Sequence, residues 1–167
     1  MRRLVLIATL MALAAAPTLA VAGQGATAFA AMTTHYEAIR QALLHDSTKD
    51  VAVHAKGIAA EAAALTASFD AAKANVPIAK TAECTALLPE VERAAMAVAA
   101  ATDLESARAA FGELSKPMVR YREMASGTRP MVVYCPMAKK SWLQPEGDIG
   151  NPYYGQKMAR CGEVISK

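Results

Sequence analysis

Phe29-Ala30-Ala31-Met32-Thr33-Thr34-His35-Tyr36-Glu37-Ala38-Ile39-Arg40-Gln41-Ala42-Leu43 is the stretch on which the reading of the fold turns. Its large apolar residues, Phe29, Met32, Tyr36, Ile39 and Leu43, step by 3, 4, 3 and 4, which lines one face of an α-helix. Asp46, Ser47 and Thr48 follow and offer caps for a second helix. That helix carries Val51, Ala55, Ile58, Ala62, Leu65 and Phe69 on one face and is expected to end at Asn75-Val76-Pro77.

Pro77 opens a short helix through Cys84 and Leu88, and Pro89 suits the first turn of another, with Leu87, Val91, Ala94 and Val98 facing inward. Thr102 or Asp103 caps the last helix, whose stripe reads Leu104, Ala107, Phe111, Leu114, Met118, Tyr121 and Ala125. Pro117 lies inside that stripe and is expected to kink or interrupt it, because its ring removes a backbone donor and crowds the preceding turn. The pattern predicts a mainly α fold, an up-and-down antiparallel bundle of about four helices.

Composition changes near residue 125. Residues 26–125 hold 30 alanines and residues 126–167 hold two, while the later segment takes four of the eight prolines, five of the nine glycines and the single tryptophan. The chain therefore divides into a helical body, 26–125, and a β- and turn-rich tail, 126–167. Met131-Val132-Val133-Tyr134 and Ser141-Trp142-Leu143 read as short strands, with turns at Pro145-Glu146-Gly147-Asp148 and Gly150-Asn151-Pro152. Gln156 to Cys161 reads as one or two helical turns, placing Met158 and Cys161 on one side. Alone the tail has too little to bury. It is expected to fold on the bundle through Trp142, Asn151, Tyr153 and Tyr154.

The start of the chain has the three-part form of a secretory signal over residues 1–22. A basic Met1-Arg2-Arg3 precedes an uncharged apolar run, Leu4 to Ala16, and small residues at Ala20-Val21-Ala22 suit cleavage. The expectation is a periplasmic or secreted protein whose single domain spans residues 23–167, with no stable membrane span after signal removal. The net charge of +3 includes Arg2 and Arg3, so about +1 remains on the mature chain. Bulk charge thus points neither to nucleic acid nor to an anionic membrane surface.

Chemistry concentrates in the sulfur of the tail. Cys135-Pro136-Met137 and Met158-Ala159-Arg160-Cys161 pair a thiol with a thioether twice. Thiolates and thioethers suit Cu(I) and Ag(I). Cys135 and Met137 share a face of an extended strand, so two, three or all four sulfurs can be brought to one ion, with Lys139 or Arg160 offsetting the charge. An exported chain equally tends to oxidise paired cysteines. A Cys135–Cys161 bridge would close a 27-residue loop, a constraint of about 3.5 kcal/mol in the chain-entropy model. Met137 and Met158 would then be apolar packing beside Trp142.

Cys84, in an alanine-rich helical segment, is expected to be a buried apolar residue. His35, His45 and His54 stand ten and nine residues apart, so no two form an i, i+4 zinc pair on one helix, and His54 is expected to pair with Asp50 on the surface. His35 is the histidine best placed to join the tail sulfurs across the bundle. No nucleophile elbow, glycine-rich phosphate loop or Cys-x-x-Cys is present, and no enzymatic activity is expected.

Tyr134-Cys135-Pro136-Met137-Ala138, Trp142-Leu143, Asn151-Pro152-Tyr153-Tyr154-Gly155, Met158 and Cys161-Gly162 together resemble the tail of a bacterial domain-of-unknown-function family. His35-Tyr36-Glu37-Ala38-Ile39 and Phe111-Gly112-Glu113-Leu114-Ser115 are similar to its helical part. The family occurs as small exported proteins and at the C-terminus of periplasmic adaptor subunits of copper/silver efflux pumps. The resemblance implies handling of Cu(I) or Ag(I) in heavy-metal efflux, with such an adaptor or another exported protein as partner, and carries no catalytic residues. Two functions stand open: a Cu(I)/Ag(I) carrier or accessory using Cys135, Met137, Met158 and Cys161, and a metal-free structural or interaction module with a disulfide-stapled tail.

Overall fold

A computed structural model describes residues 26–167. The expected signal segment, residues 1–22, and the expected mature start at Gly23 lie outside the described residues. Four helices follow one another: α1 (Ala28–Leu44), α2 (Val51–Ala67), α3 (Thr81–Ala99) and α4 (Leu104–Met124). A three-stranded antiparallel sheet then forms from β1 (Met131–Cys135), β2 (Lys140–Gln144) and β3 (Glu163–Ser166), in the order β2-β1-β3. The expected bundle with a β/turn tail is what the chain builds.

Each helix buries most of the stripe its sequence marks, although Ala94 and Leu104 are only half-buried and Ala95 takes the inward place in α3. Phe29, Met32, Tyr36, Ile39 and Leu43 of α1 are buried, as are Val51, Ala55, Ile58, Ala62 and Leu65 of α2. Leu87, Val91 and Val98 of α3 and Ala107, Phe111, Leu114, Met118 and Tyr121 of α4 meet them. Aromatic contacts tie α1 to α4: Phe29 lies 5.0 Å from Tyr121 and Tyr36 lies 4.6 Å from Phe111, between ring centroids. Asp103 caps α4 in a reciprocal capping box with Ser106.

Both boundaries of α2 differ from the sequence reading. The N-cap of α2 is Asp50, in the left-handed region at φ 59°, while Ser47 instead accepts from the Lys49 amide. The α2 helix stops at Ala67, well before Pro77, because Asp70 draws the chain into a tight turn through bonds from the Lys73 and Ala74 amides. Phe69 therefore leaves the helix and is half-buried.

Pro89 and Pro117 neither start nor break a helix; both sit inside continuous ones. Each removes one intrahelical donor, from the carbonyls of Thr85 and Glu113 respectively. Thr85 is half-buried and Glu113 exposed, so water can serve these groups. Buried neighbours on both sides, Leu87, Leu88 and Val91 in one case and Leu114, Ser115 and Met118 in the other, hold the helices through the defect.

The sheet completes the bundle. Helix α1 packs on α2, α2 on α3 and α3 on α4, but α1 and α4 meet only briefly, and β2 packs against both. Trp142 and Leu143 of β2 are fully buried there. The Leu143 amide donates to the Tyr36 hydroxyl at 3.3 Å. Tyr36 in turn bonds Ser115 of α4, whose own proton goes to the Phe111 carbonyl. Tyr153 donates to the Ser141 carbonyl at 2.6 Å and lies 3.3 Å from the Ser115 hydroxyl oxygen.

Two arginines clamp the loop after β2. Arg40 of α1 donates to the Gly150 carbonyl at 2.6 Å, and Arg108 of α4 donates to the Pro152 carbonyl at 2.8 Å. A third, buried Arg122, reaches the Pro130 carbonyl and Ser166, pinning the ends of β1 and β3. Among the described residues, no helix is long and apolar enough to cross a membrane.

These contacts set two expected outcomes in urea denaturation. Phe111→Ala, at a fully buried position, should cost about 3–5 kcal/mol, and Phe69→Ala, half-buried outside its helix, less than about 2 kcal/mol. Tyr36→Phe leaves the Leu143 amide and Ser115 without their shared partner and should cost about 1–3 kcal/mol with no loss of helical signal.

Candidate functional site

The site begins where β1 ends. Cys135 pairs with Lys140 across the hairpin, leaving Pro136, Met137, Ala138 and Lys139 as the connection. Lys139 takes a positive φ of 53° to turn the chain back. This tight path aims backbone amides at the Cys135 sulfur. The Ala138 amide donates to it at 3.4 Å.

Cys161 arrives from the other side. The loop from Gly150 folds around Asn151, whose side-chain oxygen accepts from the Tyr153 and Tyr154 amides and whose nitrogen donates to the Cys161 carbonyl at 2.7 Å. A single 3-10 turn, Gly155–Met158, reverses the chain, and the Cys161 amide closes onto the Met158 carbonyl at 3.0 Å. Gly162 then crosses the face of the sheet. A side chain there would meet Trp142 at 2.7 Å and Val133 at 2.9 Å, so only glycine lets the chain run this close. The result is a Cys135 Sγ to Cys161 Sγ distance of 3.4 Å.

The two thiols are unequal. Cys135 is fully buried, whereas Cys161 is half-buried and reachable from solvent. Burial by itself pushes the Cys135 thiol up. Hydrogen bonds from the Ala138 amide, the Cys161 thiol, the Asn151 side chain and the Met137 amide outweigh it and bring the net shift down. Cys161 is pushed up, first by the hydrogen bond it makes to Cys135, then by burial and by the charge on Cys135. Of the two sulfurs, the inner one gives up its proton more readily and the outer one holds its proton more firmly.

The other two candidate sulfurs lie in the flanking turns. Met137 is 62% exposed at the tip of the hairpin, where it lines a cleft of about 690 Å³ with Arg108, Lys140, Tyr154 and Lys157. Met158 is half-buried in the 3-10 turn. Neither methionine sulfur is among the hydrogen-bonding partners of the two thiols. Arg160 pairs with Asp148 on the surface, and Lys140 lies over the Tyr153 ring at 5.4 Å. Trp142 and Asn151 are fully buried, Tyr153 nearly so, and Tyr154 half-buried. Cys84 is buried in α3.

Among the described residues, no three or more His, Cys, Asp or Glu side chains gather as a metal cluster. The pair can therefore supply two sulfur ligands, a coordination number that suits monovalent thiophilic ions far better than zinc. Sequence spacing did not reveal Asn151 as the residue that positions Cys161, nor Ala138 as a donor. Asn-Pro after a glycine marks a turn, and only the fold shows what that turn holds.

No curated protein and no solved structure matches the chain. A family model described as a protein of unknown function (DUF3347) matches residues 32–129, from the first turns of α1 to the connection before β1. The matched stretch is the helical body, and the thiol-bearing hairpin follows it directly. On that match the chain belongs to DUF3347, a family of proteins of unknown function.

Proposed function

We propose that the protein is an exported carrier or accessory of heavy-metal efflux that binds Cu(I) or Ag(I) between Cys135 and Cys161. The observation that carries this reading is the 3.4 Å approach of the two sulfurs, with turn amides favouring the thiolate of the inner one. A thiolate is the form that ligates a soft ion, and metal binding displaces whatever thiol protons the pair still holds. Cys161 is the outer half, exposed enough for an ion to enter and leave. Met137 and Met158 act as weaker thioether ligands at the edge, with Met137 on the open side where a donor or acceptor protein would dock. The basic start, the apolar run and the small residues at Ala20-Val21-Ala22 support export. The resemblance of the tail to proteins fused to efflux adaptors supports a periplasmic adaptor, or another exported protein, as partner.

The same 3.4 Å approach favours a second reading. Oxidation of Cys135 and Cys161 would staple the tail and leave a metal-free structural or interaction module, with Trp142, Tyr153 and Tyr154 as its anchors. Intact mass after alkylation, on protein taken from its native compartment, separates the two. Alkylation of the denatured chain at all three cysteines supports the carrier, and a chain two hydrogens lighter in which only Cys84 reacts supports the staple.

Cu(I) competition titrations on the reduced protein should show one ion per chain. Cys135→Ser/Cys161→Ser should weaken binding at least a hundredfold and Met137→Leu less than tenfold. Unchanged affinity in the double variant would rule the carrier out. Affinity should also rise with pH. Cys161 is held protonated above the ordinary cysteine range, so its proton must leave on binding. Each released proton gives roughly a tenfold gain per pH unit below that range. A flat profile from pH 6 to pH 8, checked by the same competition, would contradict the thiol assignment.

A further inference from the structure

His35 and His54 stand nineteen residues apart in sequence, on different helices, and the fold brings their rings together at an interplanar angle of 48°. Nδ1 of one lies 3.0 Å from Nδ1 of the other, with ring centroids 5.3 Å apart. His54 thus turns to His35 rather than to Asp50, whose backbone alone it contacts. Spacing along a single helix could not show this pair, because it spans the seam between α1 and α2.

The seam is shaped for the ring. Gly57 sits in the interior of α2, where glycine is the poorest helix former after proline. A methyl group at that position would lie 2.5 to 2.8 Å from three atoms of the His35 imidazole. Glycine is what allows His35 to lie flat against α2 and turn Nδ1 toward His54. Both histidines are half-buried, so the convergent nitrogens remain within reach of solvent.

We propose that His35 and His54 form a second metal site, selective for a borderline divalent ion such as Cu(II) or Ni(II). Imidazole suits these ions, and both favour tetragonal geometry. At a metal–nitrogen distance of about 2.0–2.1 Å, two ligands at right angles lie about 2.9 Å apart, close to the observed separation. Each Nδ1 then binds as a neutral imidazole, and the interhelical hydrogen bond gives way to the ion. Water fills the remaining positions on the open side. The site stands independently of the thiol pair, since it uses neither cysteine and takes a harder ion.

The test adds Cu(II) to the Cys135→Ser/Cys161→Ser chain, in which no thiol pair can reduce it. Binding is followed by equilibrium titration and electron paramagnetic resonance. One Cu(II) per chain with nitrogen splitting from two imidazoles is expected. His54→Gln should weaken it at least tenfold and remove the two-nitrogen pattern. His45→Gln should change neither, because His45 stands alone with Nδ1 against the Gln41 carbonyl. Equal affinity in His54→Gln, or loss on His45→Gln, overturns the site. Should the double serine chain lose its helical signal, Ni(II) is titrated into the unaltered chain, His54→Gln and His45→Gln with the same expectations. Failure of Cu(I) binding at the cysteines would leave this outcome untouched, so the two sites are judged separately.

Discussion

The molecule depends on a strand filling the gap that its first and last helices leave open. The backbones of α1 and α4 stand apart, bridged by the long side chains of Phe29, Tyr36, Phe111 and Tyr121, and β2 packs against both. Trp142 and Leu143 supply the volume. The hydroxyls of Tyr36, Ser115 and Tyr153 supply the polar partners that a strand edge in such a place requires. Burial of an amide without a partner is costly, so the network decides where β2 can sit. Burial also raises the Tyr36 and Tyr153 hydroxyls well above the ordinary phenol range, keeping them neutral and able to donate. Once β2 is fixed, the hairpin register fixes β1, and with it the turn that carries Cys135.

The thiol pair inherits its geometry from this framework by two routes. The inner sulfur is set by the hairpin, whose turn amides face it. The outer sulfur is set by Asn151, which is itself held by a loop that Arg40 and Arg108 clamp to α1 and α4. Each route runs through residues of the helical body. The unequal burial of the two sulfurs follows from the routes as well. A strand end packed on the core is closed, and a loop end crossing an outer face is open. That asymmetry suits an ion held by one buried ligand and released by one exposed ligand, and it suits a reversible disulfide for the same reason.

Much of this was legible beforehand. The 3-4-3-4 stripes named the buried face of every helix, since apolar periodicity reports the core directly. The shift from alanine to proline, glycine and aromatics located the tail. Prolines misled in both directions. Pro89 suggests a helix start and Pro117 a kink or interruption, whereas tertiary burial on either side carries each helix across the missing donor. Asp70, a modest turn signal, ended α2 where Pro77 was expected to. The third strand, Glu163–Ser166, escaped notice because its exposed, short sequence has neither apolar alternation nor length, and pairing with β1 alone creates it. The histidine pair was hidden for a related reason, as interhelical register is set by packing rather than by spacing along one helix.

The division between matched body and thiol-bearing tail is then not a division of labour between two independent parts. Residues 32–129 form the stretch that the family model covers, yet they include Tyr36, Arg40, Arg108, Ser115 and Arg122, the groups that dock the tail. A bundle whose stability came from large side chains throughout could bury its core without a sheet. This one relies on alanine at many inward positions, which brings helices close but leaves each contributing little area. Trp142, Leu143 and Tyr153 restore that area, so the body needs the hairpin as much as the hairpin needs the body. A site at their junction is therefore formed only when both have folded. Any ligand bound across Cys135 and Cys161 would stabilise the whole molecule rather than the tail alone.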